Sequence, residues 1–135
     1  MRYVLDTNAV SALMRGDPKV LARLKEVART DVCVPQPVLA EISYGIERLV
    51  RSKRRDALTA RFDLVKTELR RVEWSDDVSV AFGTIKAVLE RRGERIEDFD
   101  AAIAAHAVAG SSVLVTANRE HMARVPSLEV EDWSG

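Results

Sequence analysis

Cysteine is nearly missing from this chain: Cys33 stands alone among 135 residues. A lone cysteine cannot close an internal disulfide, so nothing here asks for an oxidising compartment. Flanked by Val32 and Val34, it reads as a small buried hydrophobe. Aromatic residues make up only 5% of the chain, which argues against an extended base-stacking platform. Neither sign of charge is in excess: 21 Lys and Arg balance 21 Asp and Glu, for a formal net charge of zero. That balance excludes a histone-like coat and a polybasic membrane binder, but not a local patch of either sign. Long apolar runs are missing too. The most apolar stretch, Ala101 to Gly110, is far short of the roughly 20 residues that span a bilayer. The opening Met-Arg-Tyr-Val-Leu meets Asp6 before a signal-peptide apolar region can form. With 6 Gly, 4 Pro and no Ser/Gly linker or internal repeat, nothing divides the chain. The expectation is a cytoplasmic protein with no membrane association and one domain over residues 1–135.

What is present suffices for a core: 47% of residues are hydrophobic and 31% charged. Tyr3-Val4-Leu5 is β-favouring and runs into Asp6-Thr7-Asn8, three good helix-capping types. Val10, Leu13 and Met14 follow at helical spacing. Gly16-Asp17-Pro18 ends that helix and starts a second, with Asp17 as cap and Pro18 at its first position. Val32-Cys33-Val34 predicts a buried strand stopped by Pro35 and Pro37. Further helices are expected over Pro37 to about Val50, Arg54 to Leu69, Val78 to near Gly93, and about Phe99 to Gly110. Arg71 to Trp74, Val113 to Val115 and Leu128 to Val130 read as short strands. Strands alternating with helices predict an α/β fold on a mostly parallel sheet. Ligands of such sheets bind at the carboxyl ends of the strands.

Three carboxylates stand out under that rule. Asp6 ends the first strand, where capping and function have equal claim on it. Glu41 lies at the edge of the apolar stripe Val38, Ile42, Gly45 and Ile46. A charge there needs a partner or a metal, because uncompensated burial is costly; a salt bridge is the plainer explanation of Glu41 alone. Asp100 heads the face formed with Ile103, Ala104, Ala107 and Val108. It sits in a first turn, where the helix dipole favours an anion. Asp98 is a natural cap for the same helix, with an accessory acidic role as its second reading. His106, six residues on from Asp100, falls on another face and reads as structural. Carboxylates without a Cys/His pair suit a hard cation, Mg²⁺ or Mn²⁺, and such sites typically serve phosphoryl transfer. Spacing alone does not bring the three together.

Four segments carry a resemblance. They are Val4-Leu5-Asp6-Thr7-Asn8, Val38-Leu39-Ala40-Glu41-Ile42-Ser43-Tyr44-Gly45, Asp100-Ala101-Ala102-Ile103-Ala104-Ala105-His106-Ala107, and the tail from Leu114-Val115-Thr116-Ala117-Asn118 through Arg124-Val125-Pro126 to Val130-Glu131-Asp132-Trp133. In this order and spacing the chain resembles the PIN-domain ribonucleases, and closely the VapC toxins of toxin–antitoxin modules. The resemblance implies a three-layer fold with a short, mostly parallel sheet flanked by helices. It implies a Mg²⁺-dependent endoribonuclease, with Mn²⁺ as an alternative metal, in which a water activated by the metal attacks the phosphodiester. Asp6, Glu41 and Asp100 match the family's principal metal-binding acids. Thr7, Asn8, Thr116 and Asn118 match positions that support the site by hydrogen bonding. Where the family often carries a fourth acid this chain has His121, with Glu120 beside it. Glu120 standing in, His121 orienting water, and a site holding one metal firmly are the three readings of that departure. A VapB-type antitoxin, an RNA substrate and a homodimer are the implied partners.

Positive charge for RNA is offered by Arg48, Arg51, Lys53, Arg54 and Arg55, and by Arg91, Arg92 and Arg95. Solvated helix ends explain both clusters equally well. Trp74 and Trp133 read as packing residues. Two other classes stand beside the nuclease. One is a catalytically weak PIN-fold binding module, marked by His121. The other is a phosphatase-like hydrolase with Asp6 as nucleophile, against which speaks Asn8 where a second aspartate belongs.

Overall fold

A computed structural model describes all residues, Met1 to Gly135. The elements are β1 (Tyr3–Leu5), α1 (Thr7–Met14), α2 (Pro18–Glu26), β2 (Val32–Pro35), α3 (Gln36–Glu47), α4 (Lys53–Glu68), β3 (Arg70–Val72), α5 (Asp76–Arg91), α6 (Asp98–Ala109), β4 (Val113–Val115), α7 (Arg119–Met122) and β5 (Glu129–Glu131). A 3₁₀ turn at Arg29–Asp31 precedes β2.

The sheet has five strands in the order β3-β2-β1-β4-β5, and every neighbouring pair is parallel. The chain steps outward from β1 to β2 to β3, then crosses back through α5 and α6 to place β4 on the other side of β1. The order therefore reverses between β1 and β4, the position where open α/β sheets bind ligands. The central strands are apolar on both faces, as burial under helices requires: Val4, Leu5, Val32, Val34, Leu114 and Val115 are all buried. No helix is long and apolar enough to cross a membrane.

Local chemistry sets the boundaries. The Asp6 carboxylate accepts from the Ala9 N–H at 2.8 Å and opens α1. Asp17 caps α2 through the N–H groups of Lys19 and Val20, with Pro18 in the first turn. Gly16 lies between these helices at φ +75° and Gly93 follows α5 at φ +70°, a backbone region that disfavours a Cβ. Three expectations are displaced. Helix α3 ends at Glu47, where the Arg48 N–H bonds back to the Tyr44 carbonyl, and does not reach Val50. Strand β3 covers Arg70–Val72 rather than Arg71 to Trp74, because its register is set by pairing Cys33 with Arg70 and Pro35 with Val72. Strand β5 lies one residue later than Leu128 to Val130, in register with β4.

Helix α6 departs most from an amphipathic pattern. Every residue from Ala101 to Ala107 is buried, because the helix packs against α5, α3, β1 and β4. His106 is accordingly a core residue with Trp74 edge-on at 5.8 Å, and neither ring nitrogen has a hydrogen-bond partner. Burial lowers its pKa to about 4. Since the unfolded ring titrates near 6.5, acid protonates the unfolded chain first, and stability falls as pH drops from about 6.5 towards 4. Thermal melts of H106L should lose that part of the acid sensitivity. At neutral pH the variant should be at least as stable as the parent, since it removes two unpaired buried polar atoms.

The tryptophans differ. Trp133 is buried against Tyr3 at 5.3 Å and donates Nε1–H to Glu131. Trp74 is 44% exposed, resting on Phe82 and donating to Ser79, so it is only partly a packing residue.

Candidate active site

The switch point joins the ends of β1 and β4. Leu5 pairs with Val115, and the Asp6 N–H donates to the Val115 carbonyl at 3.1 Å. Asp6 and Thr116 therefore leave the sheet side by side. Both are buried. The Asp6 pKa is raised, first by burial and further by the negative charges of Asp100 and Glu41; hydrogen bonds from the Thr116 hydroxyl and the Ala9 N–H oppose the rise. The three acids singled out in the sequence are thus electrostatic neighbours, although they come from β1, α3 and α6.

Each acid has its own local support. The Thr7 hydroxyl donates to Glu41 Oε1 in a short hydrogen bond. The Thr116 hydroxyl, while acting on Asp6, accepts from the Asn118 N–H at 3.0 Å. His121 Nε2 stands 3.6 Å from Asp100 Oδ2. No three acidic, histidine or cysteine side chains lie close enough together to share one ion as they stand. Mutual repulsion within range but without shared coordination describes acids held apart by separate partners. Their donor set, carboxylate oxygen throughout, is that of a hard divalent cation. Introducing such an ion at the buried Asp6 would offset the like charges that raise its pKa. The residues fit a Mg²⁺-type cation in their chemistry, with some closing up required.

The supporting positions are unequal. Thr7 and Thr116 touch the acids directly, Asn118 acts through its main-chain N–H, and Asn8 is exposed beside a small cleft between α1, α2 and the C-terminal segment. Glu120 is exposed in the first turn of α7 and makes no ion pair or hydrogen bond with the three acids. Asp98 is not the cap of α6. That position is Glu97, without a side-chain hydrogen bond, and Asp98 instead pairs at 2.6 Å with Lys86 of α5. The chain enters α6 one residue earlier than its sequence suggests, which turns Asp98 towards α5. D98A should leave RNA cleavage within about twofold and barely move the melting temperature, as for other exposed ion pairs.

A groove of about 640 Å³ opens beside Thr7 and Glu41, between α1, α3 and α4. Arg15, Arg54 and Arg61 stand along it. Of the basic run read in the sequence, only Arg54 faces the groove. Arg55 is turned to the Leu49 carbonyl and Glu47. Arg15 and Arg61 went unnoticed in the sequence because they are isolated, and only tertiary packing gathers them.

The sequence pattern of the PIN domain matches residues 3–128. The chain belongs to the PIN-domain family, in its VapC branch. "Ribonuclease VapC2" of Rickettsia felis is 30% identical over 135 residues, covering 98% of both chains. The tRNA(fMet)-specific endonuclease VapC of Salmonella typhimurium is 26% identical, again covering 98% of each. Among solved structures, VapBC2 from Rickettsia felis, bound to a DNA fragment from its promoter, superposes with a TM-score of 0.89 at 28% identity, over 98% of this chain and 99% of that one. DNA-bound VapBC from Salmonella typhimurium gives 0.88 at 25% identity, over 98% of each chain. The PIN fold expected from the sequence is the fold found, with a sheet that is wholly rather than mostly parallel.

Proposed function

We propose that this VapC-family protein is a Mg²⁺-dependent endoribonuclease, the toxin of a VapBC-type module. The observation that carries the reading is the buried Asp6 carboxylate at the sheet's switch point, its pKa raised in part by Asp100 and Glu41. Like charges brought together at a ligand-binding position are destabilising unless a cation is to be held there.

In this reading Asp6, Glu41 and Asp100 would hold the ion. A bound divalent cation supplies two things: a more acidic water and neutralisation of charge developing on phosphate. The chain's own groups do the rest. Thr7 orients Glu41, Thr116 and the Ala9 N–H orient Asp6, and the groove arginines receive phosphates flanking the scissile one. The same groove, apolar along Met14, Ile42, Ile46 and Leu58, suits a segment of a VapB-type antitoxin. VapBC complexes are among the solved structures of the relatives, which supports an antitoxin as partner.

The deciding experiment is cleavage of total RNA by purified protein with Mg²⁺ titrated in and EDTA as control. Cleavage that rises with Mg²⁺ and stops with chelator is expected. Two observations favour the second reading, a catalytically weak binding module: the acids are held apart, and position 121 carries no carboxylate. RNA binding without cleavage at any Mg²⁺ or Mn²⁺ concentration would establish that reading instead.

A further inference from the structure

Helix α1 stands as a partition with the acid site at its head. Its first residue, Thr7, lines the groove that holds Glu41, while its second, Asn8, lines the separate cleft on the other flank. Arg15, just past the end of the helix, borders both. The cleft has a volume of about 250 Å³ and lies between α1, α2 and the C-terminal segment. Sites that bury a drug-sized ligand run to roughly 300–1,000 Å³. This one has room for a single ring system, and not for a peptide helix or a dinucleotide.

The walls suit a flat ring with polar edges. Ala9, Ala12, Val20 and Trp133 give an apolar floor, and all four are buried. The floor is preformed, because Trp133 is held by Tyr3 at 5.3 Å and by Glu131. Two of the polar groups around it are already engaged. Asp17 accepts from the N–H groups of Lys19 and Val20, and Asp132 from the N–H and hydroxyl of Ser134. Asn8 is exposed, and its amide bonds to nothing within the chain. An amide offers donors and an acceptor side by side, the pairing that reads the edge of a base. Asp132 titrates below the ordinary carboxylate range, chiefly through the Ser134 hydrogen bonds and further through the nearby charges of Arg119 and Lys19. With Arg15 in the wall, these cations give the cleft a border that attracts a phosphate backbone.

Thr116 ties the cleft to the acids. It stands in the cleft wall, and its hydroxyl bonds to Asp6. A ring seated there therefore lies beside the carboxylate at the switch point. We propose that this cleft receives one unpaired nucleobase of the RNA, next to the phosphate that is cut, and that Asn8 reads its edge as a specificity-determining residue. The inference rests on the reading of the acids as a nuclease site. It gives α1 two tasks, with phosphates passing along the groove on one flank and a base taken up on the other. Single-stranded RNA is recognised in this manner, through splayed bases whose edges are hydrogen-bonded.

The first test follows the amide NMR spectrum of the full chain in EDTA. Each of the four nucleoside 5′-monophosphates, or ribose 5-phosphate, is added in turn. The nucleotides should shift the amides of Asn8, Ala12 and Ala117, with one base preferred, and the base-free sugar phosphate should not. A12L fills the cleft and should weaken the preferred nucleotide at least about tenfold. A117L does so from an exposed position and serves where A12L does not fold. N8A should erase the preference among bases. The second test maps the ends of total RNA cut in Mg²⁺. The parent should show one base enriched at a fixed offset from the cut, and A117L should flatten that enrichment. Cleft amides that respond to no nucleotide, or equally to ribose 5-phosphate, overturn the proposal. So do unchanged affinity in a folded A12L or A117L, a base preference that survives N8A, and an enrichment that A117L leaves intact. The nuclease reading fails separately if the parent does not cut RNA in Mg²⁺, and the nucleotide titration then still decides what the cleft takes.

Discussion

Replacing Asp100 by Asn is expected to lower Mg²⁺-dependent RNA cleavage by at least about a hundredfold and to leave a folded protein. The substitution removes one negative charge while keeping size and shape. Asp100 is 40% exposed at the head of α6, so the variant opens no cavity and loses only a modest dipole contribution. Asp6→Asn should lose cleavage to the same extent, and its stability makes the result sharper. Asparagine caps a helix about as well as aspartate, so the bond from Ala9 survives. Folding raises the Asp6 pKa, so the folded state binds this proton more tightly than the unfolded chain does. The carboxylate therefore costs stability above its folded pKa, and the cost fades as pH falls through that value towards the ordinary 3.8. At pH 7 the Asn variant should melt higher than the parent, and the gap should narrow on acidification. Added Mg²⁺ should raise the melting temperature of the parent more than that of Asp6→Asn. Full cleavage by either variant in a metal-controlled assay would sink the assignment of these acids.

Ala104→Leu is the second large effect. Ala104 is completely buried on α6, whose alanines allow close approach to α5, α3 and the central strands. A leucine there overpacks the core by three carbons, at a cost of typically 1–3 kcal/mol, which lowers the melting temperature by roughly 5–15 °C. Because α6 carries Asp100, relief of the strain by shifting the helix should also weaken cleavage well below the melting temperature. Unaltered melting in calorimetry would mean that α6 is not the tightly packed element described.

Much of this organisation was legible. Asp6 at the end of an apolar strand and Asp17-Pro18 opening a helix are local signals, and each is found where it was read. What failed did so for non-local reasons. Strands β3 and β5 are three residues long, and their limits are fixed by neighbours rather than by propensity. Helix α7 has four residues and the 3₁₀ turn three, too few for any periodicity to register. The i, i+3, i+4 rule put His106 on a face away from Asp100, as it should. That face is structural, as read, because α6 is enclosed all round from Ala101 to Ala107. The mutual influence of Asp6, Glu41 and Asp100 lay beyond spacing altogether, since the crossing from β3 back to β4 is what brings their elements together.

The insertion of β4 beside β1 has a temporal consequence. Residue 6 leaves the ribosome well before its supporting hydroxyl, Thr116, and before Asp100. Helices α1 to α4 can gather on β1, β2 and β3 during synthesis, but that intermediate holds Asp6 and Glu41 with an open edge where β4 belongs. A nascent or truncated chain ending before Val113 would therefore possess the groove without a complete acid cluster. The site is finished only after β4 and Thr116 have been made and have docked beside β1.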